Sequence, residues 1–238
     1  AGGTRPALFL DFDGTLVEIE STPGAVRVGE RLQTLVANLT VKLEGRLAIV
    51  SGRPVEQIHA LFGNTTLAVA GSHGIEMYWP DGRAAKPAAR AFDAAVLAPL
   101  RHLQEAHPGV VIEVKPHGVA VHYRMAPAAE QDSIHTAHRV ARESGLSIQR
   151  GKMVIELKTE TRNKGDAIAA FMSDAAMRGT RPVFIGDDET DEAGFLLAAR
   201  LGGAGVLVGP ERSTAAVFRL PTVGDTLAWL EAAGEAIS

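Results

Sequence analysis

The chain contains no cysteine, which removes disulfide staples, thiolate metal sites and cysteine nucleophiles from consideration at once. That absence fits a reducing compartment, and a cytoplasmic protein is the expectation. Aromatic residues make up only 5% of the chain, and nothing in the spacing of Trp79 and Trp229 ties them to a site, so packing is their expected role. No apolar run approaches the roughly 18 to 20 residues of a membrane span, and Ala1 to Pro6 has no apolar signal core, so no membrane association is expected. A dominant charge sign is missing as well. The formal net charge is -4, dispersed without a basic stripe able to neutralise a phosphodiester backbone, and nucleic acid is not an expected partner. Internal repeats and low-complexity segments are also lacking.

What is present is an ordinary globular balance, 46% hydrophobic and 22% charged over 238 residues, enough for a core with a smaller inserted domain. Short apolar runs recur at Ala7 to Leu10, Leu47 to Val50, Leu67 to Ala70, Val183 to Ile185 and Gly205 to Val208, each predicting a buried strand. Helical spacing over Val28 to Leu43, and again over Asp166 to Met177, places helices between them. Alternation of this kind predicts a parallel sheet with helices on both faces, whose ligands bind at the carboxyl ends of the strands. The turn-rich stretch Pro80 to Pro87 marks a boundary. Beyond it come a helix near Phe92 to Ala106, β-runs at Val110 to Lys115 and Val119 to Tyr123, a helix near Ala128 to Ser144 and a strand at Met153 to Leu157. That pattern predicts two αββ passes, or a small α+β domain. The expected division is residues 1–82, an insert at 83–158, and a return to the core at 159–238.

Chemistry-bearing residues collect where strands end. Asp11-Phe12-Asp13-Gly14-Thr15 follows the first strand; residues two apart on an extended chain project to one side, so Asp11 and Asp13 can share a pocket while Gly14 admits an anion. A plain Asp-Gly turn has the same look. Gly186-Asp187-Asp188-Glu189-Thr190-Asp191-Glu192 follows another strand, and so many acids in one loop repel one another unless a hard cation relieves them. A solvated acidic helix start is the alternative. Ser51-Gly52-Arg53-Pro54 brings a hydroxyl, free amides and a cation to the same edge, or else caps a helix through Ser51. Lys164 stands just before a predicted helix, where a lone lysine is usually exposed.

Taken together in this order, the four motifs resemble the haloacid dehalogenase superfamily: Asp-x-Asp-Gly-Thr, then Ser, then Lys, then an acidic pair. The stretch between Ser51 and Lys164 exceeds what a strand crossover needs and looks like the inserted cap of the superfamily's sugar-phosphatase branch. The resemblance therefore implies an α/β fold, a Rossmann-like core with a parallel sheet plus an inserted smaller α+β cap. Within that branch the chain is similar to trehalose-6-phosphate phosphatases, through Gly186 to Phe195, Ser51-Gly52-Arg53-Pro54, Gly71-Ser72-His73-Gly74-Ile75-Glu76 and Gly151-Lys152-Met153-Val154-Ile155-Glu156.

The resemblance implies a division of labour. Asp11 is the expected nucleophile and Asp13 the acid and base, with Ser51, Lys164, Gly14, Gly52 and Arg53 around the phosphate. Mg2+ would be held by Asp11, the Asp13 carbonyl and Asp187, with Asp188 and Asp191 supporting. Sugar recognition is expected to come from the cap, and Glu76, Lys152 and Glu156 would meet glucose hydroxyls. Lys115, His122 and Arg124 join them as candidates or simply form an exposed polar sheet face, and His73 either contacts substrate or satisfies a turn. Hinges are expected near Pro80 to Pro87 and Thr159 to Arg162. A small-molecule sugar phosphate is the expected partner of a chain more readily read as a monomer. The same core chemistry would serve sucrose phosphate, mannosyl-3-phosphoglycerate or a monosaccharide phosphate, and a catalytically silent sugar-phosphate-binding module is the contrasting class.

Overall fold

The computed structural model describes residues 5–20, 22–87, 91–159 and 161–237. Two compact units are distinguished: one holds the chain through Lys86 and again from Arg162, the other is Pro87–Thr161. Among the described residues no helix is long and apolar enough to cross a membrane. The expected hinge at Thr159 to Arg162 includes Glu160, and the start of the expected signal-free segment includes Ala1 to Thr4; both lie outside the described residues.

The larger unit begins β1 (Pro6–Leu10), α1 (Glu30–Lys42), β2 (Leu47–Val50), α2 (Val55–Phe62), β3 (Ala68–Gly71), β4 (Glu76–Tyr78) and β5 (Ala84–Ala85). The smaller unit contributes α3 (Ala94–Ala106), β6 (Val111–Lys115), β7 (Gly118–His122), α4 (Glu130–Ser144), β8 (Ser147–Gly151) and β9 (Val154–Lys158). The chain then returns through α5 (Lys164–Ser173), β10 (Arg181–Gly186), α6 (Glu192–Arg200), β11 (Ala204–Val208), β12 (Phe218–Leu220) and α7 (Val223–Ala236).

These strands of the larger unit form an eight-stranded sheet in the order β12-β11-β10-β1-β2-β3-β4-β5. From β12 to β3 every pairing is parallel, while β4 and β5 extend the sheet antiparallel. Side chains on β1 alternate between faces: Leu8 and Leu10 pack with α1, α2 and α7, whereas Ala7 and Phe9 pack with α5 and α6. Because both faces are covered, the central strands read as unbroken apolar runs, which is why they are visible in the sequence. Two edges are not. β12 has three residues with Arg219 in the middle, and β5 only two.

In the smaller unit the four strands pair antiparallel in the order β6-β7-β9-β8. Val119, Val121, Ile155 and Leu157 pack against Val96 and Leu100 of α3 and Val140 of α4, so one face of this sheet makes a core and the other carries polar side chains. The second αββ pass needs β8, whose sequence Ser-Ile-Gln-Arg-Gly shows no apolar run because only alternate residues face the core.

Candidate active site

Parallel strands end together, and their loops assemble the site. Asp11 follows β1, and its N–H donates to the Ile185 carbonyl of β10 at 2.9 Å, so the two acidic motifs start from neighbouring strand ends. The chain then folds tightly back: Leu16 N–H donates to Phe12 O at 2.9 Å and Gly14 N–H to Val17 O at 2.8 Å. Phe12 and Leu16 are fully buried, which roots this turn in the core. Gly14 has φ +86, and a Cβ there would lie 2.2 Å from Asp187 Oδ2. Only glycine satisfies both the left-handed backbone and that approach.

Lys164 opens α5 behind an Asn163–Asp166 capping box, two residues before the Asp166 start expected from periodicity. It is buried, and its Nζ donates to Asp11 Oδ1 and to Asp191 Oδ1, each at 2.7 Å. Burial pushes the Asp11 carboxyl well above the ordinary carboxylate range; Lys164 pulls it back, and the Asp191 and Asp187 charges add to the rise. Burial opposes the charge of Lys164 too, but Asp11 and Asp191 outweigh it and hold the ammonium proton above the usual lysine value. Lys164 is thus placed against the acids, not on an exposed helix end.

Asp11, Asp187 and Asp191 each offer a carboxylate oxygen, and these atoms lie within 4.8 Å of one another. Hard oxygen donors in that number, crowded into a largely buried pocket whose wall cannot accept even a methyl group at Gly14, fit a small divalent cation such as magnesium. Asp191 is fully buried and does more than support: its Oδ2 accepts the N–H groups of Asp187 and Asp188, both at 2.9 Å, while Oδ1 takes Lys164. Asp188 and Asp191 form a capping box over Glu189–Asp191, so the acidic loop is also the helix start that composition alone suggests. Arg212, which the sequence does not single out, steadies the loop by donating to Asp188 O at 2.9 Å and Glu192 Oε1 at 2.5 Å.

Asp13 lies apart from the three clustered acids. Arg53 grips its carboxylate with two hydrogen bonds of 2.7 Å, from Nε to Oδ2 and from a terminal nitrogen to Oδ1; the guanidinium stacks 5.4 Å above the Phe12 ring. Ser51 does not cap α2, which starts at Val55 behind Pro54. Its hydroxyl accepts the Arg53 N–H at 3.1 Å, shaping the loop that presents Arg53. His73 is buried at φ +56, and its ring fills the space that a side chain at Gly52 would need.

Glu76 requires a correction. It stands on β4 and has no exposed surface. Its Oε2 accepts the Val55 N–H at 3.1 Å and its Oε1 the Ser72 hydroxyl at 3.2 Å; a carboxylate turned into the backbone this way is not presented to a sugar.

The remaining candidates lie in the smaller unit. Registers place Glu113, Ala120, Glu156 and Gln149 in one row across the sheet and Lys115, Gly118, Lys158 and Ser147 in the next, all on the polar face by alternation. Lys115 donates to Glu156, His122 meets Glu113 at 2.9 Å, and Lys158 donates to Gln149 at 2.7 Å. Glu113, Gln149 and Lys158 are missing from the sequence reading, although their period-two spacing with Lys115 and Glu156 could have shown them. Arg124 lies just past β7, and its guanidinium donates to Lys152 O at 3.0 Å, fastening the turn between β8 and β9.

Comparison with known proteins places the chain in a family. A family model described as trehalose-phosphatase matches residues 9–219. The chain is 41% identical over 206 residues to a probable trehalose-phosphate phosphatase of Sinorhizobium fredii, covering 86% of this chain and 78% of that protein. It is 38% identical over 229 residues to the trehalose-6-phosphate phosphatase of Escherichia coli, covering 94% and 85%. In fold it is similar to the C-terminal domain of Candida albicans trehalose-6-phosphate phosphatase, with a TM-score of 0.85, 23% identity and coverage of 98% and 92%; the expected Rossmann-like core with an inserted smaller domain is the fold of such neighbours. With acids clustered at adjoining strand ends and a family match running from β1 into β12, the chain belongs to the trehalose-phosphatase family.

Proposed function

We propose that this protein hydrolyses trehalose 6-phosphate to trehalose and phosphate with magnesium as cofactor, in the cytoplasm and as a monomer. The observation that carries this is the buried Asp11 carboxylate, held by Lys164 and crowded by Asp187 and Asp191, with Asp13 two residues on. A carboxylate oxygen of Asp11 attacks phosphorus, the bond from phosphorus to the sugar oxygen breaks, and Asp13 gives that oxygen a proton. Asp13 then takes a proton from the water that attacks the aspartyl phosphate, and Asp11 leaves as a carboxylate. Asp11, Asp187 and the Asp13 carbonyl would hold magnesium, with Asp191 and Asp188 orienting the loop; the ion supplies positive charge for the phosphoryl oxygens. Lys164, Ser51 and the amides of Gly14 and Gly52 surround the same oxygens. Lys115, His122, Arg124, Lys152 and Glu156 offer the donors and acceptors a hydroxyl-rich disaccharide needs.

Phosphate release from trehalose 6-phosphate, sucrose 6-phosphate and glucose 6-phosphate, each with magnesium and with chelator, tests this. Metal-dependent preference for trehalose 6-phosphate is expected. Release from another sugar would keep the mechanism and change the substrate, while no release from any would point to a binding module.

A further inference from the structure

We infer that Glu76 is a positioning residue, setting the grip of Arg53 on Asp13 from beneath the site without touching substrate. The inference rests on the phosphatase reading for its readout and on separate geometry for its content. α2 starts at Val55 with Pro54 before it and no side-chain cap from its own loop. Glu76 supplies that cap from a different strand, accepting the Val55 N–H through Oε2; a carboxylate at a helix N-terminus is also favoured by the helix dipole. Its other oxygen accepts the Ser72 hydroxyl.

That second bond reaches a strained turn. Ser72, His73 and Gly74 have φ of 51, 56 and 95, and two consecutive non-glycine residues in the left-handed region persist only where surrounding contacts hold them. The turn in turn holds the Arg53 loop: Ser72 N–H donates to Arg53 O and His73 N–H to Ser51 O, both at 2.9 Å. Glu76 therefore fastens both flanks of the segment Ser51 to Val55, the helix start after Arg53 and the turn behind it. Arg53 extends from this segment to clamp Asp13 in two bonds of 2.7 Å. A bidentate clamp is sensitive to where its guanidinium is anchored, and misplacement of a catalytic group by about 1 Å can cost on the order of 10²-fold in rate.

The test measures kcat and KM for E76A and E76Q, each alone and combined with R53A, using trehalose 6-phosphate and the sugarless p-nitrophenyl phosphate. E76A is expected to lower kcat by roughly 10- to 100-fold, by the same factor on both substrates, with KM changed little. E76Q, whose amide can still accept from Val55 and pair with Ser72, is expected to recover most of the rate. In the R53A background E76A should add less than about a threefold loss, because coupled residues are non-additive. A rise in KM confined to the sugar substrate would make Glu76 a sugar ligand and overturn the inference. An undiminished loss in the R53A background would reduce Glu76 to a generally structural residue and overturn it too. If E76A does not fold, V55P removes the same N–H where proline is accepted at the first helical position and Pro54 is already extended; unchanged kcat there would also refute the inference. Turnover by the unsubstituted protein keeps these outcomes separate from failure of the phosphatase reading itself.

Discussion

The two units place charge in opposite ways. In the larger one, Asp11, Asp191 and Lys164 are buried where strands end and a helix begins, Lys164 bonding both carboxylates and Asp191 also accepting two backbone N–H groups. In the smaller one, Lys115, Glu156, Glu113 and His122 stand in register on one face of an antiparallel sheet and pair laterally with one another. Buried groups have no water to rearrange around them, so their geometry is set before a ligand arrives. On the sheet face Glu113 and His122 are partly exposed while Lys115 and Glu156 are nearly buried, and these side chains pair with one another. Under the proposed function the first arrangement would carry bond making and breaking, the second discrimination among sugars. Substitutions in the two units should accordingly differ in size and in the kinetic constant they move.

The largest effect is expected for Asp11→Asn. Turnover should fall by at least about 10⁴-fold on every phosphate ester, as for loss of a nucleophile, while binding of trehalose 6-phosphate remains measurable by calorimetry. Sustained phosphate release by that variant would remove Asp11 from the mechanism. Next comes Gly14→Ala, which places a Cβ 2.2 Å from Asp187 Oδ2 at φ +86; we expect roughly a 10²-fold loss of kcat. Gly45→Ala is the matched control, since it has φ +82 and nothing within 4 Å of the added atom. Both variants should lose stability by about 1 kcal/mol from the left-handed backbone, but only Gly14→Ala should lose rate. Equal rates in a side-by-side assay would mean the turn is not coupled to the site.

The same contrast explains what could be read from sequence. Asp11, Asp13, Lys164 and Asp187 were legible because each adjoins a strand or helix whose pattern is local, and strand ends of a parallel sheet must converge. The Asp13–Arg53 clamp joins residues forty positions apart, and no local pattern announces it. Glu76 is opaque in sequence for a related reason: an acid in a motif shared with sugar phosphatases looks like a ligand until its partner, the Val55 N–H, is seen twenty-one positions back. In the insert, half-buried strands gave weaker signals. β8 shows no apolar run because its apolar and polar residues alternate, and eight residues are too few for α2 to show a helical period beyond the start that Ser51 and Pro54 suggest. α7 went unread although it runs for fourteen residues, its apolar positions being diluted by alanine and glycine.

A smaller effect is expected where the sheet face is disturbed. Lys115→Ala and Glu156→Ala each remove one partner of a close ion pair. If these groups recognise sugar hydroxyls, KM for trehalose 6-phosphate should rise roughly tenfold, consistent with about 1.5 kcal/mol for a hydrogen bond to a charged group. Hydrolysis of p-nitrophenyl phosphate should be unchanged, since it has no sugar to recognise. A parallel loss on both substrates would dissolve the distinction between the two units.

The smallest effect concerns stability and pH. Burial works to raise the Glu113 carboxyl, but the hydrogen bond with His122 and the charge of Lys115 outweigh it and leave Glu113 below the usual glutamate range. A carboxyl depressed on folding stabilises the protein above its unfolded value, about pH 4.3, and that contribution is lost as pH falls through the lower folded value. Glu113 is partly exposed, so solvent screens the pair and the shift in melting temperature should be slight. Glu113→Gln should therefore flatten the dependence of melting temperature on pH below about 4.3 relative to the unsubstituted protein, with little change in the shape of the curve at neutral pH. If the two profiles keep the same slope in the acid range, the Glu113–His122 pair contributes no pH-linked stability, and its place on the sheet face would then be justified only by what it presents to a ligand.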